Sequence, residues 1–137
     1  MSKIRLPAKI ESLKKLKRFV SDFAKAEDFS QKRIQEIELA TEEALVNIFA
    51  YAYPDENIGD VEVRCEMDVN TGLIIEILDT GRPFDIESFS KPDLGENMSN
   101  RKTGGLGIYL IKQMVNRVHY RQEGQSNILT LVIDKRI

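Results

Sequence analysis

Leu39-Ala-Thr-Glu-Glu-Ala-Leu-Val-Asn-Ile-Phe-Ala-Tyr-Ala-Tyr53 sets a carboxylate, Glu43, and an amide, Asn47, inside an otherwise apolar helical run. Residues four apart on a helix stack on one face, one turn above the other, so both side chains can address a single ligand or ion. On a wheel of about 100° per residue, Ile34, Ile37, Leu45, Ile48 and Ala52 gather on one side. Leu39, Val46 and Ala50 fall on the other, together with Glu43 and Asn47. This distribution predicts a helix covered on both faces. Polar groups in a covered place need hydrogen bonds, a metal or a ligand, because burying them unpaired costs on the order of a few kcal/mol.

The flanks of this helix have clear signals. Ser30 stands at an N-cap position, and Pro54 forbids continuation. Upstream, Lys3 to Leu6 read as a short edge strand ended by Pro7. From Ile10 to about Ala26, Leu13, Leu16, Phe19, Val20 and Phe23 mark an amphipathic helix whose basic outer face, Lys14, Lys15, Lys17 and Arg18, is expected to be solvated. Downstream, the turn-rich 54–60 leads to Val61, Val63, Cys65 and Met67, which alternate with charged residues as in a half-buried strand. Asn70-Thr-Gly72 is a hairpin signal before a second strand at Leu73 to Leu78. Arg117 to Gln122 and Asn127 to Asp134 are two further strands around Glu123-Gly-Gln. His119, the single histidine, reads as a strand residue. The order predicts an α+β, two-layer α/β sandwich, a mixed, mostly antiparallel sheet covered on one face by helices.

A chain of 137 residues has the size of a single domain, 1–137, with one core. A net charge of -2 lacks the basic footprint of a nucleic-acid binder. One cysteine, Cys65, excludes an internal disulfide or multi-cysteine metal site and fits a reducing compartment, with Cys65 itself buried in a strand. The N-terminus lacks the apolar core of a signal peptide, and no apolar run approaches the length of about 20 residues that spans a bilayer. A cytoplasmic protein without membrane contact is expected.

Two glycine-containing turns complete the pattern. Asp79-Thr-Gly-Arg-Pro-Phe-Asp85 places an acidic residue at the end of a strand with a glycine beside it, so that a ligand can approach the backbone while the carboxylate accepts a donor. Residues 86–103 have few apolar anchors, and a loop of that length is usually a functional lid or disordered. It leads to Thr103-Gly-Gly-Leu-Gly-Ile-Tyr-Leu, a glycine-rich opening of a helix whose N–H groups suit phosphate oxygens. No Lys-Ser/Thr follows as in a P-loop, and no βαβ unit surrounds it. Asn47 suits Mg²⁺, which takes few protein oxygens and completes its shell from water and phosphate. The three elements together point to ATP.

The order Glu43-x-x-x-Asn47, Asp79-x-Gly81, Gly104-Gly-Leu-Gly107 resembles the N, G1 and G2 boxes of the ATPase superfamily that includes gyrase and histidine kinases. Within it, the chain and its closing Tyr120-Arg-Gln-Glu-Gly-Gln-Ser-Asn-Ile-Leu-Thr-Leu131 resemble the anti-sigma factor serine kinases. The resemblance implies Asn47 as the Mg²⁺ ligand, Asp79 as acceptor of the adenine amino group and Gly81 beside the base. It also implies Gly105 and Gly107 near the phosphates and Glu43 as general base. Phe84, Thr103, Gly104, Leu106 and Asn127 complete the implied nucleotide site. Tyr51 stands where relatives often have histidine, Arg82-Pro-Phe84 replaces the second glycine region, and Asn127 takes the place of a frequent threonine. Arg101 and Lys102 are offset from the phosphate-facing arginine of some relatives.

By the same resemblance the chain phosphorylates a small anti-sigma factor antagonist, binds a sigma factor or similar regulator, and forms a homodimer. A nucleotide-gated binding module without significant kinase activity is the alternative, and fold and site similarity do not separate the two.

Overall fold

The computed structural model describes residues 1–53, 58–83 and 105–135. Along the chain run β1 (Ser2–Pro7), a 3-10 turn (Ile10–Ser12), α1 (Leu13–Ala26), α2 (Gln31–Tyr51), β2 (Asp60–Asp68) and β3 (Gly72–Asp79). They are followed by α3 (Gly105–Met114), β4 (Arg117–Glu123) and β5 (Ser126–Ile133). The strands form one sheet in the order β1-β2-β3-β5-β4, and every pairing among them is antiparallel, so the sheet is not mixed among the described residues. The last hairpin folds back so that β5, not β4, lies beside β3.

Strand alternation gives the sheet two unlike faces. Val61, Val63 and Cys65 of β2, Leu73, Ile75 and Ile77 of β3, and Leu129, Leu131 and Ile133 of β5 are buried in the core. The other face is charged: Arg64 pairs with Glu62 at 2.5 Å, and Arg121 reaches Glu76 at 3.2 Å and Glu123 at 2.6 Å. His119 lies on β4 opposite Thr130 and is exposed. The β2–β3 hairpin closes through Asp68, whose Oδ1 accepts the amides of Asn70 and Thr71 at 2.7 and 3.1 Å. Gly72 completes it at φ 103, where an added Cβ would meet the Ile133 carbonyl at 2.3 Å.

Leu16, Val20 and Ala24 bury one stripe of α1. The helix begins at Leu13, and the preceding turn is 3-10, a tighter form common at helix ends. Its basic face is not uniformly solvated. Lys14, Lys15 and Arg18 are exposed, but Lys17 is half-buried and ion-paired with Glu42 of α2. Helix α2 is capped by Ser30, whose hydroxyl accepts the Arg33 amide at 3.1 Å. Its two flanks are not both covered. Ala40, Ala44 and Leu45 are buried, whereas Val46 is 39% exposed and Ala50 is also exposed. The boundary runs between the two marked polar residues, leaving Asn47 buried and Glu43 half-buried.

Arg33 joins the first turn of α2 to the last turn of α3. Its Nη1 donates to Glu36 at 3.0 Å and to the Met114 carbonyl at 2.8 Å, and its Nη2 donates to Asn116 at 2.9 Å. A cation at a helix C-terminus satisfies carbonyls that the helix cannot pair itself and complements the dipole. The Nε is buried without a partner among the described residues, which keeps the net gain modest. Arg33→Met is expected to lower unfolding free energy by about 2–3 kcal/mol in urea titrations. Arg33→Lys should recover only part of this, because an ammonium cannot reproduce the guanidinium fork.

Candidate functional site

The site begins as a consequence of register. Val63, Ile77, Leu129 and Tyr120 lie across the sheet in one row, and the next row toward the sheet end is Val61, Asp79, Asn127 and Gln122. Asp79 therefore shares the side of β3 that buries Leu73, Ile75 and Ile77, and Asn127 shares the side of β5 that buries Leu129, Leu131 and Ile133. Both polar residues are nearly enclosed, with 8% and 3% exposure.

Their burial is compensated by a connected set of bonds. Asn127 Nδ2 donates to Asp79 Oδ1 and to the Gly81 carbonyl, each at 2.9 Å. The Gly81 amide also donates to Asp79 Oδ1 at 2.9 Å, and Gln122 donates to Asn127 Oδ1 at 3.1 Å. Both bonds to the carboxylate fall on Oδ1, so Oδ2 remains as its second acceptor among the described residues. Burial pushes the Asp79 pKa above the ordinary carboxylate value, and the bonds from Asn127 and Gly81 offset part of the rise.

Gly81 is required by close approach. Its amide neighbour Arg82 donates to the Ala52 carbonyl at 2.6 Å, and a Cβ on Gly81 would lie 2.2 Å from that same oxygen. The turn after β3 is thus pressed against the end of α2. Between them opens a cleft lined by Ala44, Asn47, Ile48 and Ala52 of α2, by Asp79 and Arg82, and by Tyr120 and Leu129. Apolar walls with a few convergent polar atoms are what small-molecule sites generally present.

Asn47 Nδ2 donates to the Glu43 carbonyl at 2.9 Å, which fixes the amide plane and leaves Oδ1 as an acceptor. Among the described residues there is no cluster of three or more His, Cys, Asp or Glu able to hold a metal. A cation here would take a single oxygen from Asn47, a donor set that suits Mg²⁺ bound mainly by phosphate and water. Glu43 lies one turn back and does not line the cleft. Its pKa is raised by burial first and by the neighbouring Glu42 second.

Comparison with known proteins supplies the family. A sequence profile described as a histidine kinase-like ATPase domain matches residues 6–133. The serine-protein kinase RsbW of Bacillus licheniformis is 31% identical over 85% of this chain and 74% of its own length. RsbW of Listeria monocytogenes is 29% identical over 97% of this chain and 87% of its own. The chain belongs to the RsbW serine-protein kinase family, within the histidine kinase-like ATPases. The blue-light activated histidine kinase of Erythrobacter litoralis has the same fold, with TM-score 0.59 at 20% identity over 79% of this chain. The histidine kinase domain of that organism gives 0.55, also at 20% identity, over 76%. This chain spans 32% and 45% of the lengths of those two structures.

The RsbW-family fold brings Asn47, Asp79, Gly81 and Asn127 together. Glu43 is adjacent to them, and Asn127 stands behind Asp79 rather than on the cleft wall. Gly105, Leu106 and Gly107 open α3. Phe84, Thr103, Gly104, Arg101 and Lys102, the segment 86–103 and Pro54 lie outside the described residues. Sequence reading missed Tyr120 and Gln122 as parts of the site. The signal for them was the alternation Val118, Tyr120, Gln122 on one side of β4, which becomes informative only with the neighbour order known.

The raised Asp79 pKa has a definite sign for stability. A carboxyl whose folded pKa exceeds its unfolded value costs stability when ionised, and the cost is relieved as pH falls through the folded value. Asn can accept the same two bonds through its Oδ1 without a desolvated charge. Asp79→Asn is therefore expected to be at least as stable as the parent at pH 7. That advantage should shrink as pH falls through the raised Asp79 pKa, as read by urea titrations across a pH series. A variant that is strongly destabilised at pH 7 would contradict this account.

Proposed function

We propose that this chain is an ATP-dependent serine protein kinase that phosphorylates a small anti-sigma factor antagonist. It would exchange that partner for a sigma factor or similar regulator according to nucleotide and phosphorylation state. The observation that carries the reading is the Asp79–Asn127 pair, which secures one carboxylate oxygen and leaves the other for a ligand at an apolar cleft. Membership of the RsbW family supports the choice of ATP and of a protein serine as acceptor. The same reading takes residues 1–137 as a single domain that acts as a cytoplasmic homodimer, without nucleic-acid or membrane contact.

In this reading Asp79 accepts the adenine amino group, Gly81 lies beside the base, and Ile48, Leu129 and Tyr120 wall the pocket. Asn47 holds Mg²⁺, which supplies charge neutralisation at the phosphates. The α3 N-terminus at Gly105, Leu106 and Gly107 offers backbone N–H groups to phosphate oxygens. Phe84, Thr103 and Gly104 belong to the same nucleotide site. The acceptor serine oxygen bonds to the γ-phosphorus as the bond to the leaving ADP oxygen breaks, and the hydroxyl proton passes to Glu43. Burial and Glu42 raise the Glu43 pKa and make it a stronger base than an ordinary carboxylate. Ion pairing of Glu42 with Lys17 limits how far that like charge acts.

Two substitutions separate binding from transfer. Asp79→Asn places an N–H donor against the adenine amino donor and is expected to weaken Mg-ATP binding by roughly 10- to 100-fold in calorimetry. Glu43→Gln should leave ATP affinity within about twofold while lowering phosphate transfer to the cognate antagonist by at least about 100-fold. Equal activity of Glu43→Gln would remove that residue from the mechanism. Partner binding gated by nucleotide, with no turnover by the parent protein, would favour a binding module.

A further inference from the structure

Beyond the groups that face the cleft, one side chain controls the turn that carries them. Backbone pairing of β2 with β3 ends at Val61 opposite Asp79. The next pair would be Asp60 opposite Thr80, and there the hydroxyl of Tyr53 takes the place of a rung. It accepts the Thr80 amide at 2.9 Å, donates to the Asp60 carbonyl at 2.9 Å, and lies 3.3 Å from Thr80 Oγ1. A hydroxyl placed between two strand ends holds them apart by its own width while pairing both. The backbone after Asp79 is therefore separated from β2 and turned toward α2.

Two glycines permit the arrangement. A Cβ on Gly59 would lie 2.7 Å from the Tyr53 ring, and a Cβ on Gly81 would strike the Ala52 carbonyl. Consecutive residues of the turn are thereby tied to different elements. Thr80 is held by Tyr53, Gly81 by Asn127, and Arg82 by Ala52. Tyr53 and Ala52 directly follow α2, the helix that bears Asn47, so the link sets the distance and angle between Asn47 and Asp79.

We propose that Tyr53 is a positioning residue for base recognition: its hydroxyl, inserted between the ends of β2 and β3, aims the second oxygen of Asp79 at the exocyclic amino group of an adenine nucleotide. This rests on the nucleotide reading above. Tyr53 touches neither phosphate nor acceptor, so it acts on the selection and affinity of the base and not on the transfer step. Removing the hydroxyl frees the Thr80 amide and loosens the turn on that side, so that the second oxygen of Asp79, still held through Oδ1 by Asn127 and Gly81, is aimed less well, which weakens the bond that distinguishes adenine from guanine.

The test compares the parent chain with Tyr53→Phe, titrated by calorimetry with Mg-ATP and with Mg-GTP, and assayed for phosphate transfer across ATP concentrations. The variant is expected to lose about tenfold in ATP affinity, with GTP affinity unchanged and the preference for ATP reduced by the same factor. KM for ATP should rise correspondingly while kcat at saturation stays within about twofold. Unchanged ATP affinity, or equal losses for ATP and GTP, would overturn the proposal and leave the nucleotide reading standing. Binding of neither nucleotide by the parent protein would overturn both. If Tyr53→Phe does not fold, amide exchange in the parent protein decides: the Thr80 amide should be protected although it lies beyond the β3 ladder, and exchange at the rate of an open amide refutes the insertion.

Discussion

The site depends on one constraint of register. Asp79 must face inward because it continues the period of Leu73, Ile75 and Ile77, and a strand cannot turn one residue outward without slipping or bulging. An inward carboxylate at 8% exposure is expensive, and the remaining structure around it is arranged to lower that cost. Asn127 is brought alongside because β5 is inserted between β3 and β4. The same Nδ2 that serves the carboxylate also holds Gly81, so the compensation of the buried charge and the shape of the turn are one interaction. The cost is not eliminated, because burial pushes the Asp79 pKa up by more than the bonds from Asn127 and Gly81 bring it down. A residual cost at a carboxylate whose second oxygen has no partner among the described residues is what the proposed binding role of Asp79 would require.

Helix α2 transmits this arrangement to the other elements. At its first turn Arg33 clasps the last turn of α3, and past its last turn Ala52 and Tyr53 hold the segment after β3. Asn47 lies between these two attachments. Displacement of either neighbour therefore reaches Asn47 through the helix, whereas the flank at Val46 and Ala50 is exposed.

Much of this was legible in the amino acids because local chemistry dictates it. Ser30 had to cap a helix, Asn70-Thr-Gly72 had to turn, and alternation in β2 marked its buried side without reference to anything distant. The opening at Thr103 to Gly107 was readable on the same local grounds, although only the helix start from Gly105 lies among the described residues. Neighbour order was not legible in this way. Asp79 and Asn127 are 48 positions apart, and nothing local to either says that β5 bypasses β4 to reach β3. Tyr120 and Gln122 were missed for the same reason. The coverage of α2 was misjudged because apolar residues at Leu39, Val46 and Ala50 look inward-facing on a wheel. Burial is decided by which elements exist to cover that side, and the described ones leave Val46 and Ala50 open.

The open flank changes how Glu43 and Asn47 relate. Read from spacing alone they form an equivalent pair on one face, but the boundary of burial passes between them. Asn47 is on the enclosed side, with one end of its amide committed to the Glu43 carbonyl and the other available toward the cleft. Glu43 sends only its backbone into that arrangement, and its carboxylate remains half-exposed beside Glu42. A group that holds a small ligand gains from enclosure, because low dielectric strengthens its contacts and excludes competing water. A group that must meet a macromolecular serine has to stay reachable from outside the protein. One turn of helix separates the two environments, so the spacing that suggested a shared ligand instead sets an enclosed amide and a reachable carboxylate on adjacent sides of the same boundary, as the proposed division between binding and proton acceptance would require.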